Sequence, residues 1–337
     1  LFMALASLGF ALFPGYVVFS ITLFSLGCCM AVLQVIINPM LRVAGGEEHF
    51  AFNSVLAQLV FGLASFLSPF LYKYVVDTNS EETGLASFIR SLVTENLPWV
   101  GLFMIFSVIA IFLLAVVFFT KYPKYEKKED EVAGDKKSYF SLLKNKWTIL
   151  FFLGIFCYVG TEQGVGNWIS QFLSQYHGLD AQTVGADTVA YFWAMLTIGC
   201  LLGLLLLKIM DSRKLLIGAT AVTMIFLILA LTGGAKVALF AFPAIGFFIS
   251  VMWSIIFSLA LNSVKENHGS LSGILCTGIA GGAVIPFLVG ALGEITSLKT
   301  GMFFLLIPLA FILSIGFFAN PLVKYKSIQL KTKQGYQ

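Results

Sequence analysis

The chain reads FCYVGTEQGVGNWISQF from residue 156 to residue 172, within an apolar run that extends over residues 147–174. A run of this length can cross the hydrocarbon core of a bilayer, which takes about 20 predominantly apolar residues. It nevertheless contains a carboxylate, Glu162, together with polar side chains such as Gln163 and Asn167. Ionisable groups inside membrane helices are rare and usually functional. The stretch therefore predicts a membrane helix with a functional residue at its centre.

The composition extends this prediction to the whole chain. Charged residues make up 11% of the sequence, against about 25% in a typical soluble protein. Apolar runs long enough to span a bilayer recur along almost the entire length, so the fold class is an all-α polytopic membrane protein. Ten spans are predicted, near residues 1–13, 16–40, 50–76, 97–120, 147–174, 187–208, 214–232, 235–262, 269–292 and 300–322.

Lysine and arginine are concentrated in a few predicted loops. The loop 121–146 holds eight lysines, and cytoplasmic loops carry an excess of basic residues. Placing this loop in the cytoplasm also places the C-terminus and most other basic residues there. Only Lys73, Arg90, Lys236 and Lys299 then face the opposite side.

The same loop divides the predicted spans into four before it and six after it. We expect an incomplete N-terminal bundle at 1–120, a basic cytoplasmic linker at 121–146, a C-terminal six-helix bundle at 147–322 and a cytoplasmic tail at 323–337. Many transporters pair two related halves and bind their substrate near the midplane. We therefore expect that two further spans precede residue 1.

Glu162 is the strongest candidate for a functional residue. At about 1.5 Å per residue it falls near the bilayer centre, where a charged side chain costs at least about 2.5 kcal/mol unless it is paired, protonated or facing a cavity. With about 100° per residue, Gln163, Gly166, Asn167 and Ser170 lie within about 140° of it on one predicted polar face. The two interpretations are a substrate or coupling-ion site and a structural hydrogen bond to a neighbouring helix.

Amide side chains occur in other spans as well. Gln34 and Asn38 are four residues apart in the second span, Gln58 lies in the third, and Trp253 lies in the eighth beside a serine stripe. Amides offer paired donors and acceptors, and Trp offers a flat apolar face. Together they suit a neutral polyol such as a sugar, although amides also join helices.

Other motifs favour structural roles. Gly199 and Gly203 are four residues apart, a spacing that lets helices approach closely. Gly281 and Gly282 precede Pro286, where a helix can bend. The five cysteines show no metal-ligand spacing, and no phosphate-binding loop, nucleophile elbow or pair of carboxylates appears. We expect no cofactor, no metal, no enzymatic chemistry and no nucleic-acid partner.

Several motifs together resemble the fucose permease-type sugar–proton symporters of the major facilitator superfamily. They are QVIINPM at 34–40, YVGTE at 158–162, GFFISVMWSIIFSLA at 246–260 and GGAVIP at 281–286. The resemblance covers roughly residues 16–75 and 147–292. It implies a two-bundle architecture of twelve helices, alternating access and proton-coupled sugar uptake across a bacterial inner membrane.

The resemblance also implies roles for single residues. Gln34 and Glu162 resemble the glucose/galactose branch, whereas the fucose permease has a carboxylate at the position of Gln34. Asn38, Gln58 and Trp253 match family positions too. Residues that depart from the family pattern, namely Ile36, Ile37, Phe61, Ile249 and Ser254, leave open which sugar binds.

The sequence therefore predicts a monomeric secondary transporter that imports a hexose-like sugar with protons. Glu162 is the expected proton-coupling residue. The expected substrate contacts are Gln34, Asn38, Gln58, Gln163, Asn167 and Trp253. Two alternatives remain: a facilitator or sodium-coupled transporter of another small metabolite, and a membrane sensor that does not transport.

Overall fold

Helices form every regular element of the computed structural model, which describes residues 1–45, 50–76, 84, 88–89, 91–93, 97–120, 136–264 and 268–319. The chain divides by its contacts into two units. The first unit comprises Leu1–Phe61 and Leu67–Glu126, and the second comprises Gly62–Phe66 and Lys127–Gln337. The division falls within the predicted linker 121–146, of which residues 121–135 lie outside the described residues.

Among the described residues up to the predicted linker, the long helices are α1 (Phe2–Leu12), α2 (Tyr16–Gly45), α3 (Phe50–Val76) and α4 (Gly101–Phe119). Helix α1 packs against both α2 and α4. The hydroxyl of Ser107 on α4 donates to the carbonyl oxygen of Ala4 at 3.0 Å, and that of Thr22 on α2 donates to Ala6 at 3.2 Å. These bonds satisfy polar groups within an apolar bundle, where water cannot do so.

Ten helices follow. They are α5 (Lys136–Leu143), α6 (Lys146–His177), α7 (Ala186–Ile209), α8 (Ser212–Thr232), α9 (Ala235–Ile249), α10 (Met252–Ser263), α11 (His268–Thr277), α12 (Gly281–Ile295), α13 (Leu298–Phe303) and α14 (Leu306–Phe318). Large aromatic side chains fill the core of the second unit, among them Phe151, Phe172, Phe192 and Phe242, which are almost fully buried.

Local capping signals set the helix ends on either side of the spans. Asn145 accepts the main-chain N–H of Trp147 at the start of α6, and Asp211 accepts that of Arg213 at the start of α8. Helix α6 ends at Gly178, whose φ of 65° lies in the left-handed region that favours glycine. Side-chain acceptors at N-caps satisfy N–H groups that the helix leaves unpaired.

The predicted spans are found as helices. Within the described residues, eight helical segments are long and apolar enough to cross a membrane, and six of them lie in the second unit. The other two predicted spans correspond to shorter apolar helices, Phe2–Leu12 and Val60–Val76. The prediction of an all-helical membrane protein is confirmed, whereas the count of ten spans stays a prediction.

Three spans of the second unit depart locally from regular α-helical hydrogen bonding, although each remains one segment long enough to cross a membrane. In the span 235–262 the irregular residues are Ser250 and Val251, between α9 and α10, and their backbone stays in the right-handed helical region. A 3₁₀ turn, Gly278–Ala280, separates α11 from α12, and Phe304–Leu305 separates α13 from α14. In the first of these spans the Ser250 hydroxyl donates to the Phe247 carbonyl at 2.7 Å, a local bond that competes with the helical ladder.

A further difference concerns the end of the predicted linker. Residues 136–143 form helix α5, which packs against α11. Leu142 is buried in the core of the second unit. The high lysine content around this segment indicated a solvated loop. The helix that Leu142 anchors to the core was therefore not predicted.

Candidate functional site

Helix α6 lies at the centre of the second unit. It packs against α7, α9, α10, α11, α12, α13 and α14. Glycines on α6 permit this close packing: a Cβ atom on Gly160 would collide with Ile285, and one on Gly164 would lie 2.7 Å from a methyl carbon of Leu305. Small residues at helix contacts are typical of membrane bundles. Side chains on α6 are therefore held from almost all sides.

Glu162 is buried in the middle of this helix, with 8% of its surface exposed. Tyr158, one helical turn earlier, is also buried and lies close to the Glu162 carboxylate. The structure thus gives Glu162 a polar neighbour on its own helix.

Aromatic rings continue from this pair onto α10. The ring of Trp253 lies 6.0 Å from that of Tyr158, centroid to centroid, at an interplanar angle of 55°. The ring of Phe257 stacks on Trp253 at 6.0 Å and 22°. Trp253 is only partly buried. Tyr158 is therefore a neighbour both of the buried carboxylate and of the partly exposed rings of Trp253 and Phe257.

The predicted polar face of α6 is not a single surface. Asn167 is exposed and Gln163 is half-buried, whereas Glu162 faces the core. Gln163 borders α12, since a Cβ on Gly282 would lie 3.1 Å from its Cγ atom. The turn of about 100° per residue separates Glu162 from Asn167 by about 140°. The two amides thus line the accessible side of the helix, next to the carboxylate rather than around it.

Ser170 and Gly166 serve packing. Ser170 contacts Gly185, where a Cβ atom would lie 3.0 Å from the serine Cβ. A Cβ on Gly166 would lie 3.4 Å from the indole of Trp193. These contacts join α6 to α7 and to Gly185, which precedes α7. The geometry therefore supports a packing role for Ser170 and Gly166.

Trp168 is a structural residue that the sequence reasoning missed. Its indole N–H donates to the carbonyl oxygen of Pro286 at 3.1 Å, and its ring covers Gly290. Both partners lie on α12. This side chain therefore holds α6 against α12 between Glu162 and the C-terminal end of α6. The signal in the sequence was a Trp within an apolar span, because its indole N–H usually finds an acceptor when it is buried.

The irregular segments of three spans lie beside the part of α6 that contains Tyr158 and Glu162. A Cβ on Gly278 would lie 3.0 Å from the carbonyl oxygen of Phe152, and one on Gly281 would collide with that of Phe156. Leu305 packs on Gly164, and Trp253 follows the irregular residues Ser250 and Val251. Short 3₁₀ segments within helices often mark hinges.

The comparisons with known proteins agree with this architecture. The sequence profile described as Major Facilitator Superfamily matches residues 1–285. The glucose/galactose transporter of Brucella abortus is 32% identical over 300 residues, which cover 86% of this chain and 70% of that protein. The chain belongs to the major facilitator superfamily.

Further relatives within the superfamily point the same way. A putative glucose/galactose transporter of Helicobacter pylori is 30% identical over 286 residues, which cover 84% of this chain and 68% of that protein. The crystal structure of the E. coli fucose:proton symporter FucP has a TM-score of 0.70 and 20% identity, and the match covers 95% of this chain and 82% of that chain. At this identity the match shows the fold. The resemblance to fucose permease-type transporters is confirmed, and these relatives are transporters rather than enzymes.

Three of the predicted substrate contacts lie outside the described side chains. Gln34 and Asn38 are on α2 and Gln58 is on α3, where the structure describes a helical backbone only. The remaining members of the predicted set, Glu162, Gln163, Asn167 and Trp253, all lie in the second unit, but the structure places only Trp253 next to the segment with Tyr158 and Glu162 and puts the two amides on another side of α6. It adds Tyr158, which belongs to a motif of the family resemblance but had no predicted role.

Proposed function

We propose that the chain imports a hexose-like sugar together with protons by alternating access. The observation that supports this most is the buried carboxylate of Glu162 beside Tyr158, whose ring lies next to the partly exposed Trp253. The names of the relatives add support, since one is a glucose/galactose transporter, a second is a putative glucose/galactose transporter and a third is a fucose:proton symporter.

Glu162 is proposed to carry the coupling proton. A carboxylate in an apolar bundle costs less free energy when it is protonated, paired or open to a cavity. Binding of a proton therefore changes which surroundings the side chain favours. A transporter couples two movements when the same group prefers one conformation in its neutral form and another in its ionised form.

The sugar is proposed to contact amides and aromatic rings. Gln163 and Asn167 lie on the accessible side of α6, and amides can donate to and accept from vicinal hydroxyls. Trp253, stacked on Phe257, offers a flat face for the apolar side of a pyranose ring. On the strength of the family resemblance, Gln34, Asn38 and Gln58 are proposed as further contacts.

The proposed setting is a bacterial inner membrane, with the protein as a monomer. The basic loop 121–146 and the C-terminal tail would face the cytoplasm, because positive residues are concentrated there.

Uptake into proteoliposomes tests the proposal. Labelled glucose, galactose and fucose are offered separately, with an inward proton gradient, with an inward sodium gradient and with neither. We expect saturable accumulation of at least one of these sugars that requires the proton gradient. Equal uptake without any gradient would indicate a facilitator, and dependence on sodium would indicate a different coupling ion. Absence of uptake of all three sugars would contradict the sugar assignment.

A further inference from the structure

An apolar groove of about 230 Å³ lies in the second unit between α7, α8 and the end of α9. None of the residues assigned to the sugar site lines it. Its floor includes the buried residues Ala219 and Val251, and its open side includes the exposed residues Leu202 and Leu206. The groove thus opens on the apolar outer surface of helices long enough to span a membrane.

The groove is unsuited to a sugar. Of the described residues that line it, only Lys214 has a polar side chain, and the others are apolar or glycine. Sites for small polar ligands carry several placed polar groups, and their volumes are usually about 300–1,000 Å³. A narrow, apolar groove with one cation at its end fits a hydrocarbon chain that carries an anionic group.

Lys214 is placed to bind that anionic group. It lies in the first turn of α8, and its side chain is exposed. The neighbouring Arg213 is engaged elsewhere, because its guanidinium donates to the carbonyl oxygen of Ala319 at 2.8 Å. Asp211 accepts the main-chain N–H groups of Arg213 and Lys214 at 2.8 and 3.4 Å. The carboxylate thus caps the helix, and the Lys214 ammonium is the cation at the end of the groove.

We propose that this groove binds one acyl chain of an anionic phospholipid, with the lipid phosphate on Lys214. The groove runs from Lys214, at the end of a span, towards Gly199 and Phe247 within the neighbouring spans. That direction matches a lipid whose headgroup lies at the interface and whose chain lies in the hydrocarbon region. In the proposed orientation this is the cytoplasmic leaflet.

Glycines shape the groove in two ways. Gly199 and Gly203 bring α7 against the end of α9 and Val251, since a Cβ on either would collide with Phe247 or Val251. They therefore fix the wall of the groove. Gly218 has no atom within 4 Å of a Cβ position and lines the groove. A larger side chain at residue 218 would occupy the groove without displacing its neighbours.

Native mass spectrometry tests the proposal on the full chain released from nanodiscs that contain equal amounts of phosphatidylglycerol and phosphatidylcholine. We expect the wild type to retain phosphatidylglycerol preferentially. Lys214→Ala should lower its retention about fivefold, the effect of one basic residue at an anionic interface, and Lys214→Arg should restore it. Gly218→Leu should remove retention of both lipids. Lys236→Ala, which changes an exposed lysine at the start of α9, should leave retention unchanged.

The melting temperature of each variant, measured without added lipid, identifies any variant that fails to fold. The two sets of variants are independent, so a misfolded Gly218→Leu protein would leave the lysine variants decisive. Equal phosphatidylglycerol retention by Lys214→Ala and Lys236→Ala would overturn the proposal. Undiminished lipid retention by folded Gly218→Leu would overturn it as well.

Discussion

Tyr158 and Glu162 form the pair on which the proposed coupling depends. Both are buried and they are one helical turn apart, so the phenol is a polar neighbour of the carboxylate in an apolar bundle. Polar groups in such a bundle depend on one another, because water cannot satisfy them there. Loss of the phenol hydroxyl therefore changes the surroundings of Glu162 and leaves the carboxylate in place.

Tyr158→Phe should therefore reduce gradient-driven accumulation of sugar by about fivefold, the effect of removing one buried polar neighbour, while sugar exchange at equal proton concentrations is retained. Uptake and counterflow in proteoliposomes measure the two quantities. The matched control is Tyr176→Phe, since the Tyr176 hydroxyl accepts the main-chain N–H of Lys299 at the far end of α6. An equal loss of accumulation and counterflow would show that Tyr158 acts through packing and does not position the carboxylate.

At the residue scale, the sequence predicts a site residue when its type is out of place in an apolar run. Glu162 is such a residue, and the structure buries it. Tyr158 is not, because tyrosine is common in membrane helices and its role depends on the direction of its hydroxyl. The sequence also did not predict that Glu162 is buried while Asn167 is exposed. A helical wheel gives the angles between residues on one helix and not the positions of the neighbouring helices.

At the element scale, the packing of α12 on α6 depends on glycine. A Cβ on Gly281 would collide with the main-chain carbonyl of Phe156, and a backbone atom cannot move aside as a flexible side chain can. Gly281→Ala should destabilise the folded protein by about 1–3 kcal/mol, as is usual for overpacking. The expected result is a lower melting temperature in detergent.

The control for this substitution is Gly218→Ala, because its Cβ would meet nothing within 4 Å. Alanine also favours a helix over glycine by about 1 kcal/mol, so this variant should melt at the wild-type temperature or above it. If Gly281→Ala melted no lower than Gly218→Ala, the close contact between α12 and α6 would be wrong.

The positions of the helices follow from the sequence, whereas their local irregularities do not. Runs of about 20 apolar residues are a strong signal, and all six spans of the second unit lie where it predicts them. The irregularity at Ser250–Val251 has no Gly or Pro at the site itself, where the Ser250 hydroxyl bonds to the main chain at Phe247. Such a bond does not predict an irregularity from the sequence, because Ser314 bonds to Phe311 in the same way within the continuous helix α14.

At the scale of the whole molecule, the candidate site is built on one central helix. In the second unit, α6 packs against most of the other helices, and three spans with irregular segments border the segment with Tyr158 and Glu162. A change in the surroundings of Glu162 therefore reaches several helices at the same time. This arrangement suits a protein in which protonation of one side chain biases a large conformational change.

The most direct test of the account compares sugar accumulation with counterflow for Glu162→Gln in proteoliposomes. Glutamine keeps the shape of the side chain but cannot exchange a proton. The control is Glu294→Gln, which changes an exposed carboxylate near the end of α12. The account predicts that Glu162→Gln loses proton-driven accumulation, keeps counterflow and differs in accumulation from a wild-type-like Glu294→Gln. Proton-driven accumulation that is unchanged in Glu162→Gln would contradict the assignment of Glu162 as the coupling residue.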